Sequence, residues 1–181
     1  MTAALIVLAV EIALVIPLFV YMARTGISPV PTTRQARRAA FAAMPDRLEG
    51  TLYDLGAGWG TVAFPLAKRF PENRVVAIEL SPVPWLFMLL RARLSRRSNL
   101  VIRRRDFLKE TLGDAGLVFV YQYPSLVATL QAKLAAEARP GTLVILNGCP
   151  LPDWHPERAT EVDDLILSNV FVYRAPGAGE A

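Results

Sequence analysis

The stretch Thr51-Leu52-Tyr53-Asp54-Leu55-Gly56-Ala57-Gly58-Trp59-Gly60-Thr61 limits this chain more than any other, because it runs from a short apolar strand through closely spaced glycines into a helical pattern. Glycine is required where the backbone must turn with positive φ or let a ligand lie against it. The free N–H groups at the start of the following helix then face whatever covers the turn. Asp54 ends the strand just ahead of that turn. A second apolar run, Arg74-Val75-Val76-Ala77-Ile78, ends in Glu79, where an acid is placed to accept hydrogen bonds from a ribose. Together these spacings describe a nucleotide-type site and leave a dinucleotide and an adenosyl cofactor both open.

The segment Asp54-Leu55-Gly56-Ala57-Gly58-Trp59-Gly60 resembles the first motif of the Rossmann-like S-adenosylmethionine methyltransferases, and Glu79 resembles their ribose-binding acid. Arg105-Asp106-Phe107, closing the third apolar run, is similar to the segment where those enzymes place an acid near the adenine. The resemblance implies S-adenosyl-L-methionine as cofactor, held by Asp54, Gly56, Gly58, Gly60, Glu79, Asp106 and Phe107. Taken singly, Asp54 and Asp106 also read as helix N-caps and Glu79 as a surface acid. The order of all three motifs is what favours the cofactor.

A hydrophobic content of 53 % and a mean hydropathy of +0.33 are high for a soluble domain, and the excess lies at the beginning. Between residues 3 and 23 the only charged side chain is Glu11. At about 1.5 Å per residue a helix of that length reaches roughly 30 Å, the thickness of a bilayer's hydrocarbon core. A cleaved secretory signal fits poorly, for want of a basic n-region and of a small-residue cleavage site. Arg24, Arg34, Arg37 and Arg38 follow the stretch and no basic side chain precedes it, which predicts a single-pass anchor in a cell's inner membrane with the catalytic domain cytoplasmic. Glu11 near mid-membrane costs a few kcal/mol and points to contact with another membrane segment or to a shallower position. Cys149 is alone and there is one His, which leaves no disulfide framework and too few ligands for a zinc site.

The chain divides into an anchor (1–25), a linker and capping helix (26–50), a methyltransferase domain (51–175) and a loose tail (176–181). Prolines at 29 and 31 stiffen the linker, Thr32 or Thr33 caps a helix over 34–44, and helix and linker together can roof the cofactor site. Strands are predicted at 51–55, 74–79, 100–104, 117–121 and 142–147, with helices at 60–70, 82–93 and 125–138 between them. Strands with little polar alternation, separated by helices, make an α/β fold with a parallel sheet covered on both faces. After residue 148 the proline-rich segment leaves room for little beyond a strand over 165–174. The expectation is therefore a Rossmann-like methyltransferase sheet trimmed at its C-terminal end to about six strands, or seven if the last segment bends into a hairpin.

Seven arginines, Arg91, Arg93, Arg96, Arg97, Arg103, Arg104 and Arg105, crowd one stretch with no acid among them, against an overall charge of +4. Three readings are open: a contact with anionic lipid, worth up to about 1 kcal/mol per residue, a grip on RNA phosphates, or a solvated face. Ligands in this architecture bind beyond the C-terminal ends of the strands. Tyr121-Gln122-Tyr123-Pro124 follows the fourth strand and lacks the Asn/Asp-Pro-Pro-aromatic sequence usual for adenine or glutamine-amide methylation, which counts against base and amide chemistry and so against a nucleic-acid partner. Its tyrosines can surround a methyl acceptor. Trp154 and His155, in the proline-rich loop after the fifth strand, read as packing or as part of the substrate side.

The linker Pro29-Val30-Pro31-Thr32, the tip 121–124, the helix end Ala132-Lys133-Leu134-Ala135-Ala136-Glu137 and the loop Pro152-Asp153-Trp154-His155-Pro156 resemble the small membrane-anchored protein-lysine methyltransferases. Mitochondrial members of that family modify a lysine of the ATP synthase c subunit or of the adenine nucleotide carrier. The resemblance implies a membrane-protein substrate carrying a lysine, with Tyr121, Tyr123, Pro124 and Trp154 on the acceptor side. Trp59 departs from the family, which commonly has aspartate there, and bears on the methionine end of the pocket. A methyltransferase for a membrane lipid or quinone would share every cofactor residue and the anchor.

Overall fold

In this computed structural model the described residues are 31–122, 124–164 and 168–177, with seven positions between 4 and 16. The first helix, α1 (Arg34–Ala42), is capped by Thr33, whose hydroxyl accepts from the Ala36 N–H at 3.1 Å. Then come β1 (Thr51–Leu55), α2 (Ala63–Arg69), β2 (Val75–Ile78), α3 (Pro82–Ser95) and β3 (Leu100–Arg103). They are followed by β4 (Ala115–Gln122), α4 (Val127–Glu137), β5 (Leu143–Gly148), β6 (Arg158–Glu161) and β7 (Asn169–Arg174). The sheet order is β3-β2-β1-β4-β5-β7-β6. Strands β1 to β5 are parallel, and β7 runs antiparallel between β5 and β6.

Alternate residues of each central strand feed two cores, because successive side chains point to opposite faces. Leu52, Val75, Ala77, Leu117, Phe119, Leu143 and Ile145 pack beneath α1, α2 and Met88 of α3. Tyr53, Leu55, Val76, Ile78, Val118, Val120, Val144 and Leu146 pack beneath α4 and Leu112. The strand order reverses between β2-β1 and β4-β5, so the crevice at the tips of β1 and β4 is the switch point where an open α/β sheet takes its ligand.

Two expectations are corrected. The sheet has seven strands rather than about six, and the added strand is β6, which pairs Arg158–Glu161 with Asn169–Val172 of the last strand's far edge. Its sequence, Arg-Ala-Thr-Glu, carries no apolar alternation because the strand is a largely exposed edge, so only hydrogen bonding to β7 marks it. The glycine turn also runs further than expected, delaying α2 to Ala63. Among the described residues no helix is long and apolar enough to cross a membrane. The stretch 3–23 read as an anchor lies mostly outside the described residues. Its described positions, including Leu5, Val7, Leu8, Ile12, Val15 and Ile16, are helical and exposed.

Candidate active site

The turn after β1 is folded back over the end of β2: the N–H groups of Gly56 and Ala57 both donate to the Ile78 carbonyl, at 2.9 and 2.8 Å. Gly56 and Gly58 hold φ of 73° and 52°, and a Cβ on either would meet nothing within 4 Å. They form an open backbone shelf that a ligand can approach. Gly60, at φ 74°, serves packing instead, since a Cβ there would lie 2.7 Å from the Phe64 ring. Its position is under the turn, between α2 and Met88.

Asp54 is buried at the tip of β1, and its Oδ2 finds no partner among the described residues. Burial pushes its carboxyl up to about 7, against the opposing effect of the Ala63 N–H, with the nearby Glu79 adding a smaller rise. A buried polar atom without a partner costs free energy, so it is an argument for a ligand that supplies one. Beside it lies a cavity of about 20 Å3, bounded by Pro31, Thr32, Gly58, Trp59, Val62 and Tyr121 among others. That is room for a group the size of one water or one ammonium. Pro31 and Thr32 thus roof the site, as expected of the linker. Thr33 donates to Asp164 Oδ2 at 2.6 Å and Arg37 to the Thr61 carbonyl at 3.1 Å, pinning the roof on both sides.

Glu79, just past β2, accepts from the Gly58 N–H on Oε2 at 2.8 Å and from the Ser81 N–H on Oε1 at 2.6 Å. It is buried, which raises its pKa, and those amide bonds partly offset the rise. Glu79 therefore braces the glycine shelf, and a carboxylate with roughly four acceptor sites keeps capacity for ribose hydroxyls. Asp106 caps the 3-10 turn Phe107–Lys109 by accepting from the Leu108 N–H at 2.9 Å, and Phe107 packs on the α4-side core. Neither borders the cavity beside Asp54.

On the acceptor side, Tyr121 lines the cavity at the tip of β4. Tyr123 lies outside the described residues. Pro124 is exposed and opens the 3-10 turn that leads into α4. Trp154 packs edge-on against Tyr173, centroids 6.4 Å apart, on the core beneath α4, the face of the sheet away from Asp54. Asn147 is a candidate to which sequence reasoning alone assigns no role. It is fully buried at the end of β5, in register with Tyr121, and neither amide atom has a partner among the described residues. Strand alternation puts Asp54, Tyr121 and Asn147 on one face. A lone Asn closing an otherwise apolar strand is the signal that could have found it. Among the described residues no group of three His, Cys, Asp or Glu could hold a metal ion.

A glycine shelf at the switch point, with acids ending or following β1 and β2, fits the methionine and ribose portions of an adenosyl cofactor, and the chain is an S-adenosylmethionine-dependent methyltransferase. Its fold is shared by an RNA methyltransferase from Salinibacter ruber solved with S-adenosyl-L-homocysteine, with a TM-score of 0.72, 24 % identity, and coverage of 84 % of this chain and 98 % of that one. The chain belongs to the family of the ANTKMT methyltransferase domain, which matches residues 54–158. A protein-lysine N-methyltransferase of Saccharolobus islandicus is 24 % identical over 80 % of this chain and 91 % of its own length. The adenine nucleotide translocase lysine N-methyltransferase of Mus musculus is 33 % identical over 59 % of this chain, which spans 47 % of that enzyme.

Proposed function

We propose that the protein is a protein-lysine N-methyltransferase that acts on a membrane protein, held at the membrane by residues 3–23 with its catalytic domain on the cytoplasmic side. Membership of a family whose relatives bear protein-lysine methyltransferase names supports the acceptor. The observation that carries it is the alignment of Asp54, Tyr121 and Asn147 along one face of the strand tips. An acid stands at one end and neutral polar groups at the other, which suits a cationic cofactor end beside an amine.

When bound, S-adenosylmethionine supplies a methyl group on a sulfonium, the electrophile of the reaction. Asp54 would receive the ammonium at its methionine end, the Gly56–Gly58 shelf would carry its backbone contacts, and Glu79 its ribose. What remains for the chain is to hold the acceptor amine in line with its lone pair free, which is catalysis by positioning. Tyr121, which lines the cavity at the tip of β4, is the candidate for that orientation. The proline-stiffened roof at Pro31 and Thr32 limits water.

Mass spectrometry of membrane proteins from cells with and without the gene tests the proposal. Lysine methylation that vanishes with the gene supports it. An unchanged protein pattern with a missing methylated lipid or quinone overturns it in favour of the lipid-type acceptor.

A further inference from the structure

Helix α3 is unusual in how little it hides: of Pro82–Ser95 only Pro84 and Met88 are buried. Leu86, Leu90 and Leu94 form one exposed row at helical spacing, with Phe87 beside it and Leu80 just ahead of the helix, and Leu94 is 86 % exposed. Several large apolar side chains in one exposed row are a surface that meets something. Residues 80–105 contain no acid, so the surroundings of this row are cationic.

The structure also sorts the seven arginines. Arg103 and Arg105 share the one buried carboxylate of Glu110, which offsets one of their two charges. Arg104 donates to the Leu80 carbonyl and lies over the Trp85 ring. Arg91 is held over the Phe64 ring at 4.1 Å, beside the leucine row. Arg93 and Arg96 are exposed at the end of the same helix, and Arg97 is half-buried. The outward field therefore belongs to α3 itself.

We propose that this face of α3 docks on an anionic bilayer surface, its leucines and Phe87 entering the interface and Arg91, Arg93, Arg96 and Arg97 meeting lipid phosphates. An exposed apolar row beside cations supplies the two terms that hold a protein surface at an anionic interface, buried apolar area and charge attraction, and each cation near the leaflet adds to the second. RNA would satisfy the arginines and leave the leucines in water. A two-fold pairing of this chain through the same face would set the arginines against one another. The apolar stretch 3–23 carries Glu11 alone and cannot match four arginines. Phe87 also touches the active-site edge, its ring 5.5 Å from that of Trp59, which borders the cavity beside Asp54. The docked face is thereby continuous with the mouth of the site, and Trp59 gains a role at that junction. The purpose of such docking rests on the proposed membrane substrate, but its test reads the docking alone.

The full chain with Cys149→Ser would be labelled with a polarity-sensitive fluorophore at Leu94→Cys, or at Ala135→Cys on the opposite face as control, and reconstituted in vesicles. With phosphatidylglycerol present, quenching at position 94 by neutral acrylamide should fall about threefold or more as the label leaves water, and high salt should restore it. Position 135 should stay exposed. Neutral phosphatidylcholine vesicles, and anionic vesicles with the Arg93→Gln, Arg96→Gln, Arg97→Gln variant, should leave position 94 accessible. Persistent quenching in anionic vesicles overturns the proposal. So does equal protection in neutral vesicles or lipid-free detergent, because another protein surface then covers the helix. Methyl transfer to lysine without this protection refutes the docking only, and protection without methyl transfer to lysine refutes the proposed function only.

Discussion

Asp54→Asn separates stability from ligand binding, because the carboxyl is buried with one oxygen unpartnered and its pKa is raised from 3.8 to about 7. A raised acid means that the native state binds a proton which the unfolded chain has already released. Stability is therefore highest below the unfolded value, falls as pH rises from about 4 to about 7, and is level above. At about 1.4 kcal/mol for each tenfold change in proton affinity, a rise of this size withholds about 4 kcal/mol from the fold at neutral and alkaline pH. Asparagine has the same shape and no charge, so the variant should gain on the order of 2–4 kcal/mol over the wild type at pH 8 and almost nothing at pH 4. Glu79 is also raised and titrates in the same direction, so some slope persists in the variant. Cofactor binding should show the opposite preference, since an ammonium favours the ionised acid. Wild-type affinity for S-adenosylhomocysteine should rise about tenfold per pH unit up to roughly pH 7 and flatten above, and the variant should bind weakly at every pH. Unfolding in one detergent across pH 4–8, with calorimetric titration at the same points, measures both. A variant destabilised equally at pH 4 and 8, or a pH-independent wild-type affinity, would refute the argument.

Glu79→Ala removes the acceptor for the Gly58 and Ser81 amides and should weaken cofactor binding by about 1–3 kcal/mol, read by calorimetry. Gly60→Ala should cost about 1–3 kcal/mol in stability, from positive φ and the Phe64 contact, and show as a lowered unfolding midpoint. Tyr121→Phe should lower turnover more than cofactor affinity, and single-turnover assays against titration would check this. Alkaline extraction of membranes should leave the full-length protein in the pellet; recovery in the supernatant would argue against an anchor at 3–23.

The sequence is most legible where a residue's conformational demand coincides with its role. Gly56 and Gly58 need positive φ and an open face, and they have both. Thr33 can be read as a cap because its hydroxyl acts on a neighbour three residues away. Strand β1 is bounded by the apolar run and the glycine after it, and the structure keeps those bounds. Gly60 and Trp154 are harder, because packing between elements decides their use: Phe64 and Met88 for one, Tyr173 for the other. Strand β6 is invisible since an exposed edge needs no apolar period. Arg103 and Arg105 look like part of a surface field in the sequence, and only the fold brings the buried Glu110 between them. Asp106 shows the remaining difficulty, for capping and adenine recognition ask for the same side chain at the same place.

Asn147 carries the last prediction, because its amide is buried with no partner among the described residues. It closes β5 against Tyr121 on one side and Val170 on the other, fully buried, with neither amide atom partnered among the described residues. Leaving such a group unmatched costs about 1–3 kcal/mol, whereas leucine has the same number of side-chain heavy atoms and no polar demand. Asn147→Leu should therefore stabilise the ligand-free protein by about 1–2 kcal/mol. The same change should depress methyl transfer if the amide meets the acceptor or the cofactor's methionine end. Comparing cofactor affinity with turnover separates those contacts: loss of S-adenosylhomocysteine affinity assigns Asn147 to the cofactor, and unchanged affinity with lower turnover assigns it to the acceptor. A variant that is destabilised yet fully active would mean that the amide serves the fold, and that its partners lie within the protein itself.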